Sequence, residues 1–365
     1  MRSTISVSIF DPNIVRTSPA GSCMLRIAQE LAGDIPLHLF SNRTEIAESE
    51  RVRTRRIPLP PGPVFLRSGL FTLFASIAYW LSGPKRSFTI STEGTFPFCD
   101  LCYAHFCHRV FLREHWRAIG GPRLRWMARI LNHAWAAVME RIAFGSAKII
   151  VVPSEGLACE LRRMYPELVD EKIRVIANPV EMQPLPRGRG SVGSTLRLSF
   201  CALGNFERKG LRLILEALAR VPDLDVELTV VGGTPAEISE YPVADERVRF
   251  VGFQEDVRPY LAASDAFVFP SAYEVFPLVC LQAAAAGLPL LVTRLYGVEE
   301  FMRDGETGWI VERTAESIAA AIVRAAADRE HLRAMGLTAR ERVMAYNEAE
   351  FRRRWRSLIE SLIVG

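Results

Sequence analysis

Two series of short apolar runs alternating with helical stretches, parted by a segment rich in proline, glycine and arginine, restrict this chain more than any other feature. In the first series the expected strands are residues 6–10, 37–40, 88–91, 101–106 and 149–152, with a long helical region over 109–144. The second series starts at Leu196, with expected strands at 198–202, 227–231, 249–251, 266–269, 290–292 and 309–311. Strands that alternate with helices predict an α/β fold of parallel sheets covered on both faces. Between the series, Asn178-Pro179-Val180 leads into a Gly/Pro/Arg/Ser stretch over 182–195, which reads as an interdomain linker. A chain of 365 residues is too long for one typical core. The expected domains are therefore 1–180 and 181–346. The remaining segment, 347–365, places Phe351, Trp355, Leu358, Ile359 and Leu362 on one helical face, and that face is expected to pack back on the first domain.

Composition narrows the function classes. With 49% hydrophobic and 24% charged residues the chain is ordinary for a soluble enzyme and unlike a disordered one. A net charge of +4 suits anionic ligands or an anionic membrane surface and falls short of a nucleic-acid-binding signature. Seven scattered cysteines, an odd number, argue for a reducing compartment rather than a disulfide framework. The first residues alternate like a strand and lack the apolar core of a signal peptide. Residues 70–81 are too short an apolar run to cross a bilayer and read as a buried helix. A cytoplasmic protein is expected.

Two loops carry the chemistry. The first, Gly204-Asn205-Phe206-Glu207-Arg208-Lys209-Gly210, follows an apolar strand and precedes a helical stripe of Leu211, Ile214, Leu215 and Leu218. A strand, a Gly-bounded turn and a helix N-terminus together offer free N–H groups and the positive dipole end to an anion. Arg208 and Lys209 add two cations where a diphosphate would lie. A solvated basic turn is the alternative. No Walker loop is present, because Gly-Lys-Ser/Thr is absent. The second loop, Ser271 to Gln282, follows the strand at 266–269. Pro277 suits the first helical position, so Glu274 lies before the helix and Gln282 in its second turn. The free N–H groups of the stretch Phe276 to Val279, in which Pro277 offers none, would hold phosphate on Phe276, Leu278 and Val279, and Glu274 or Gln282 would hold sugar hydroxyls. Alternatively, Glu274 caps its own helix and Gln282 merely packs.

Glu274-Val275-Phe276-Pro277-Leu278-Val279, then Leu281-Gln282-Ala283 and Gly287-Leu288-Pro289, is similar to the signature of retaining glycosyltransferases of family 4. The 204–210 loop, Asn178-Pro179-Val180 and Asp304-Gly305-Glu306-Thr307-Gly308-Trp309 follow in that family's order and spacing. The first loop also resembles the subgroup that glucosylates the lipopolysaccharide core. The resemblance covers residues 149–309 and is looser before them. It implies a GT-B fold, two Rossmann-like domains facing a central cleft, with the nucleotide-sugar donor held by the second. One position departs from the pattern, since Gln282 stands where the family has a second glutamate that holds the ribose hydroxyls. An amide still accepts and donates hydrogen bonds there. Glu274 matches the glutamate that the resemblance places beside the donor sugar.

The first half offers fewer candidates. Gly21, in Pro19-Ala20-Gly21-Ser22, stands where the family often has a glycine turn near the diphosphate; an ordinary turn fits equally well. His105 lies at the carboxyl end of a strand, where open parallel sheets bind ligands. The resemblance puts it beside the donor sugar, where a histidine would donate a hydrogen bond to a hydroxyl or to the departing oxygen. A hydrogen-bonded structural histidine is the competing reading, with His108 the second choice. Cys99, Cys102, His105, Cys107 and His108 resemble zinc spacing only superficially, because a strand would point alternate side chains to opposite faces. Asp223-Leu224-Asp225 reads as a surface turn. No metal is expected. Residues 109–141 mix arginines with apolar side chains, which fits either a helix on an anionic membrane or one packed on the core.

The expected reaction moves a hexosyl group from a UDP- or GDP-sugar to a glycan or lipid-linked acceptor, with retention and without a cofactor. A place at the inner face of the cell membrane would fit such an acceptor. Arg208 and Lys209 would stabilise the departing phosphate, and closure about Asn178-Pro179 would exclude water. A GT-B epimerase, a phosphorylase or a catalytically degenerate partner subunit are the alternatives, the last supported by Gln282 alone.

Overall fold

The structure, a computed structural model, describes residues 5–84, 86–116, 123–182, 184, 195–242 and 245–364. Most of the expected linker therefore lies outside the described residues. The chain divides into two compact units after Asn178, with Ala349–Gly365 returning to the first.

The strands of the first unit are β1 (Ser6–Phe10), β2 (Asn13–Ile14), β3 (Leu37–Ser41), β4 (Arg43–Thr44), β5 (Val52–Arg56), β6 (Ser87–Thr92), β7 (Leu101–Tyr103), β8 (Ile149–Val152) and β9 (Ile173–Val175). Seven of them form one sheet in the order β5-β3-β1-β6-β7-β8-β9, parallel at every pairing. All residues of β1 and β8 are buried, as strands covered on both faces must be. The helices are α1 (Pro19–Leu31), α2 (Val64–Ser82), α3 (His108–Val110), α4 (Arg123–Ser146) and α5 (Glu155–Met164). Ser18 starts α1 by accepting from the Gly21 N–H, with Pro19 at its first position.

The second unit holds β10 (Leu196–Ala202), β11 (Val226–Gly232), β12 (Val248–Gly252), β13 (Ala266–Phe269), β14 (Leu290–Val292) and β15 (Gly308–Ile310). They form a parallel sheet ordered β12-β11-β10-β13-β14-β15. Its helices are α6 (Phe206–Lys209), α7 (Leu211–Ala219), α8 (Pro235–Ile238), α9 (Arg258–Ala262), α10 (Leu278–Ala285), α11 (Ala315–Ala327) and α12 (Arg329–Val343). The last helix, α13 (Glu348–Val364), places Phe351, Trp355 and Ile359 in the same core cluster as Val7, Leu39 and Tyr103 of the first unit.

Several expectations need correction. The strand expected over 101–106 stops at Tyr103, because the chain turns at Ala104 into α3. The helical region over 109–144 is broken: Phe111–His115 is a π-helical turn and α4 begins at Arg123. Residues 117–122, which the expected helical region includes, lie outside the described residues. The apolar run at 70–81 belongs to a longer helix, α2, and it is not buried. Of Val64–Leu81, 17% is buried. Four strands are not among those expected: β5 is rich in arginine, and β2, β4 and β9 have only two or three residues each.

Candidate functional site

The two loops singled out in the second half leave the carboxyl ends of β10 and β13. These strands pair directly, Leu198 with Ala266 and Ser199 with Phe267. They are also where the strand order reverses, the place where open α/β sheets hold ligands. Sheet pairing thus joins segments more than sixty residues apart in sequence.

The meeting point is Glu274. Its Oε1 accepts from Lys209 Nζ at 2.8 Å and Ser271 Oγ at 3.0 Å, and lies 3.1 Å from Arg208 Nη1. Arg208 also donates to the Tyr273 carbonyl, and the Ala272 N–H returns a bond to the Arg208 carbonyl at 2.9 Å. Lys209 Nζ stands 4.9 Å above the Phe269 ring. All three charged side chains are about six-sevenths covered, at 14–15% exposed. Burial alone would raise the Glu274 carboxyl. The Lys209 and Arg208 charges, with the bonds from Lys209 and Ser271, outweigh it and hold the group below its ordinary value. Burial pushes Lys209 down, with the Glu274 charge opposing and the like charge of Arg208 adding to it. Two cations share one carboxylate, and two hydrogen bonds and an ion pair converge on one of its oxygens. The cluster carries a surplus positive charge away from bulk water, which an anion would neutralise.

The first loop does not present the helix N-terminus expected of it. α6 is one turn long, and Glu237 Oε1 already accepts the Phe206 N–H at 3.0 Å. Gly204 lies against the same carboxylate, since a Cβ there would stand 3.1 Å from Glu237 Oε2. The Phe206 N–H is therefore taken, and the loop's charged side chains are what it brings to the second loop. It ends at Gly210, with φ of +85°, where a Cβ would stand 2.4 Å from the Pro270 carbonyl oxygen. That approach sets Arg208 and Lys209 against the second loop.

In the second loop, Pro277 is the cap and α10 starts at Leu278, one residue later than expected. No side chain caps this helix. Glu274 is engaged with the cations and does not fill the capping role the sequence left open. Leu278 and Val279 are half-buried in the first turn, where N–H groups lack helical partners. Phe276 and Pro277 are buried, and Gln282 is exposed in the second turn instead of packing.

The remaining candidates belong to the first unit. Gly21 is not in a turn: it is the third residue of α1, its N–H is taken by Ser18 Oγ, and a Cβ would fall 1.7 Å from the Asn13 carbonyl oxygen. Close packing accounts for it. His105 follows β7 and is half-buried; burial pushes its pKa down to about 4, so the ring is neutral near neutral pH. Its Nε2 faces Asn178 Nδ2 at 3.5 Å. Asn178 is fully buried, and its Oδ1 accepts from Tyr103 Oη and from Cys23 Sγ, the latter at 3.4 Å. Those two donors fix the amide orientation, so Nε2 is the acceptor and Nδ1 carries the ring proton. His108 is part of a different cluster. Its Nδ1 lies 2.9 Å from His133 Nδ1, its N–H bonds Glu140 Oε2 at 2.8 Å, and burial with His133 lowers its pKa to about 3. Cys107 donates to Glu140 Oε1 at 3.7 Å.

Sequence reading missed Ser271, Thr293 and Glu237. Ser271 stands three residues before Glu274 in the same loop, a readable spacing. Thr293 Oγ1 holds the Ser271 carbonyl at 2.6 Å from another strand end, and only the sheet order reveals that contact.

A family model described as Glycosyl transferases group 1 matches residues 197–328. This stretch is a group 1 glycosyltransferase domain. The domain contains both loops and every residue bonded to Glu274 Oε1. The lipopolysaccharide core biosynthesis glycosyltransferase LpsE of Rhizobium meliloti (strain 1021) is 41% identical over 134 residues, which cover 35% of this chain and 39% of LpsE. The aligned part thus spans about two fifths of that relative. Among solved structures, WaaG, a glycosyltransferase involved in lipopolysaccharide biosynthesis, matches with a TM-score of 0.76 at 18% identity over 95% of this chain and 98% of WaaG. Anabaena HepE, in complex with UDP-glucose, matches with a TM-score of 0.73 at 15% identity over 98% of this chain and 100% of HepE. These likenesses extend beyond the group 1 domain, and the fold is GT-B.

Proposed function

We propose that this chain is a retaining, metal-independent hexosyltransferase that takes its sugar from a UDP- or GDP-sugar. The buried Arg208–Lys209–Glu274 cluster at the carboxyl ends of β10 and β13 carries this reading. A diphosphate is the anion that suits its surplus charge, and the uncapped start of α10 at Leu278 and Val279 offers further donors. The UDP-glucose bound by the HepE neighbour favours a UDP-sugar. Gln282, exposed one turn into α10, would hold the ribose hydroxyls through its amide.

Glu274 divides its work between its oxygens. Oε1 is engaged by Lys209, Arg208 and Ser271, which leaves Oε2 for the donor sugar's hydroxyls. In the reaction, the bond from the anomeric carbon to the β-phosphate oxygen breaks. A bond to the acceptor oxygen forms on the same face, and the acceptor's hydroxyl proton passes to the departing phosphate. Arg208 and Lys209 balance the charge that grows on that phosphate, the role a divalent cation would otherwise fill. His105, neutral with its proton on Nδ1, is suited to donate to a sugar hydroxyl without adding charge. Likeness to LpsE, a lipopolysaccharide core biosynthesis glycosyltransferase, supports an acceptor from cell-envelope glycan or glycolipid synthesis.

The test is turnover of UDP-glucose, UDP-N-acetylglucosamine, GDP-mannose and ADP-glucose with a lipopolysaccharide core fragment as acceptor, with and without EDTA. Transfer that ignores EDTA and gives an α-linked product from an α-donor supports the proposal. An inverted product overturns retention, loss of activity in EDTA overturns metal independence, and donor binding without turnover of any donor favours the degenerate-subunit reading.

A further inference from the structure

α2 is apolar along most of its surface, with Ser68, Thr72 and Ser76 as a short polar stripe, and the fold leaves one apolar face of it uncovered. Its inner face, Phe71, Ala75 and Tyr79, packs inward, with Tyr79 edge-on to Phe10, Phe40 and Phe96. The opposite face carries Leu66, Leu73, Ile77 and Trp80 at helical spacing, 46–72% exposed. A row of large apolar side chains on the outside of a helix calls for a covering partner or lipid.

α4 repeats the pattern beside it. Leu124, Met127, Leu131, Trp135, Val138 and Ile142 recur at three- and four-residue steps, and all are exposed. The two helices touch: a Cβ on Gly69 would stand 3.8 Å from the Trp135 ring, and Ser68 Oγ lies 3.5 Å from Asn132 Oδ1. Two apolar stripes on adjoining helices make a surface larger than scattered exposed residues account for.

Charge identifies the occupant. α2 and α4 together contain a single acidic residue, Glu140, which is 2% exposed. Arg123 and Arg141 are exposed on α4. Apolar stripes flanked by arginine and free of exposed carboxylates complement an anionic lipid leaflet.

Topology decides how the helices meet it. α2 is long and apolar enough to cross a bilayer by length and composition. However, the strands on either side of it, β5 and β6, lie in one parallel sheet with β3 and β1 between them. A spanning α2 would put β5 and β6 on opposite sides of the membrane. The helix must instead lie along the surface.

We propose that the outer faces of α2 and α4 form an in-plane docking surface for anionic membranes. The proposal accords with a lipid-linked acceptor but does not depend on the transferase reading. The test is cosedimentation of the full chain with vesicles of phosphatidylglycerol and phosphatidylcholine mixed, and of phosphatidylcholine alone. The comparison variants are Leu73→Gln/Ile77→Gln/Trp80→Gln and Arg123→Glu/Arg141→Glu, each checked for an unchanged circular dichroism spectrum and cooperative thermal unfolding. The expected result is binding to the anionic vesicles alone, weakened by salt and reduced about tenfold or more in both variants. Unchanged vesicle binding by the apolar variant would overturn the proposal. So would a wild-type dimer in gel filtration that the apolar variant converts to monomer without any vesicle binding, since the face would then belong to a second copy of the chain.

Discussion

Glu274 Oε1, Lys209 Nζ and Arg208 Nη1 show how one buried carboxylate can hold two cations ready for an anion. A different balance governs Glu140 in the first unit. Burial pushes its carboxyl up to about 7, against the bonds from Tyr165 Oη at 2.5 Å and the His108 N–H. A carboxyl raised in the folded state contributes stability that is fully present below its unfolded value, about 4.3, and lost as pH rises through about 7. Glu140→Gln removes that titration. Its melting temperature should lie furthest below wild type in acid, with the gap narrowing as pH rises through about 7; a gap that widens would refute the assignment. Asn178 makes a separate case. Replacing it by Ala strips the Tyr103 hydroxyl and the Cys23 thiol of their acceptor, at a cost of about 1–3 kcal/mol by thermal or urea unfolding. The same change releases His105 Nε2 and should shift the ring's NMR titration upward from about 4. An unmoved titration would show that Asn178 does not hold the ring.

At the scale of elements, Gly210 is the joint between α6 and α7. Gly210→Ala meets both a positive φ and the Pro270 carbonyl oxygen, so the loop must shift and take Lys209 with it. Strain of about 1–3 kcal/mol is expected, together with donor binding weaker by about tenfold or more; native donor affinity in that variant would detach the loop geometry from binding. The sequence made the apolar strands legible because β1, β8, β10 and β13 are buried runs with clear turns around them. β5 and β9 escaped notice because they are the two edges of the sheet, where one neighbouring strand and a single buried side chain each, Val52 and Ile173, suffice and arginines stay exposed. The residues around Glu274 were legible one loop at a time; their convergence was not, since it depends on β10 pairing with β13. Glu237 was invisible for a similar reason. It reaches the Phe206 N–H from α8, thirty-one residues further along the chain, and takes up one of the donors at the start of α6. The outward face of α2 went unread because an apolar helix is ordinarily a core helix, and sequence alone does not show which sides a fold leaves bare.

Across the whole molecule, two parallel sheets give the chain two kinds of surface. The second unit gathers its charge at the carboxyl ends of two central strands, inside the group 1 domain. The first unit exposes apolar helices with arginines and keeps its acidic residue in α4 buried. The proposal for the second unit is that Arg208 and Lys209, balanced by one glutamate, hold a donor diphosphate without a metal. Its most direct test is the melting temperature of the purified chain with UDP, GDP, ADP and TDP, with and without EDTA, beside Arg208→Ala/Lys209→Ala. The account predicts a rise selective for one base, unchanged by EDTA and absent in the double variant. No shift with any nucleotide, or an equal shift in the double variant, would contradict it.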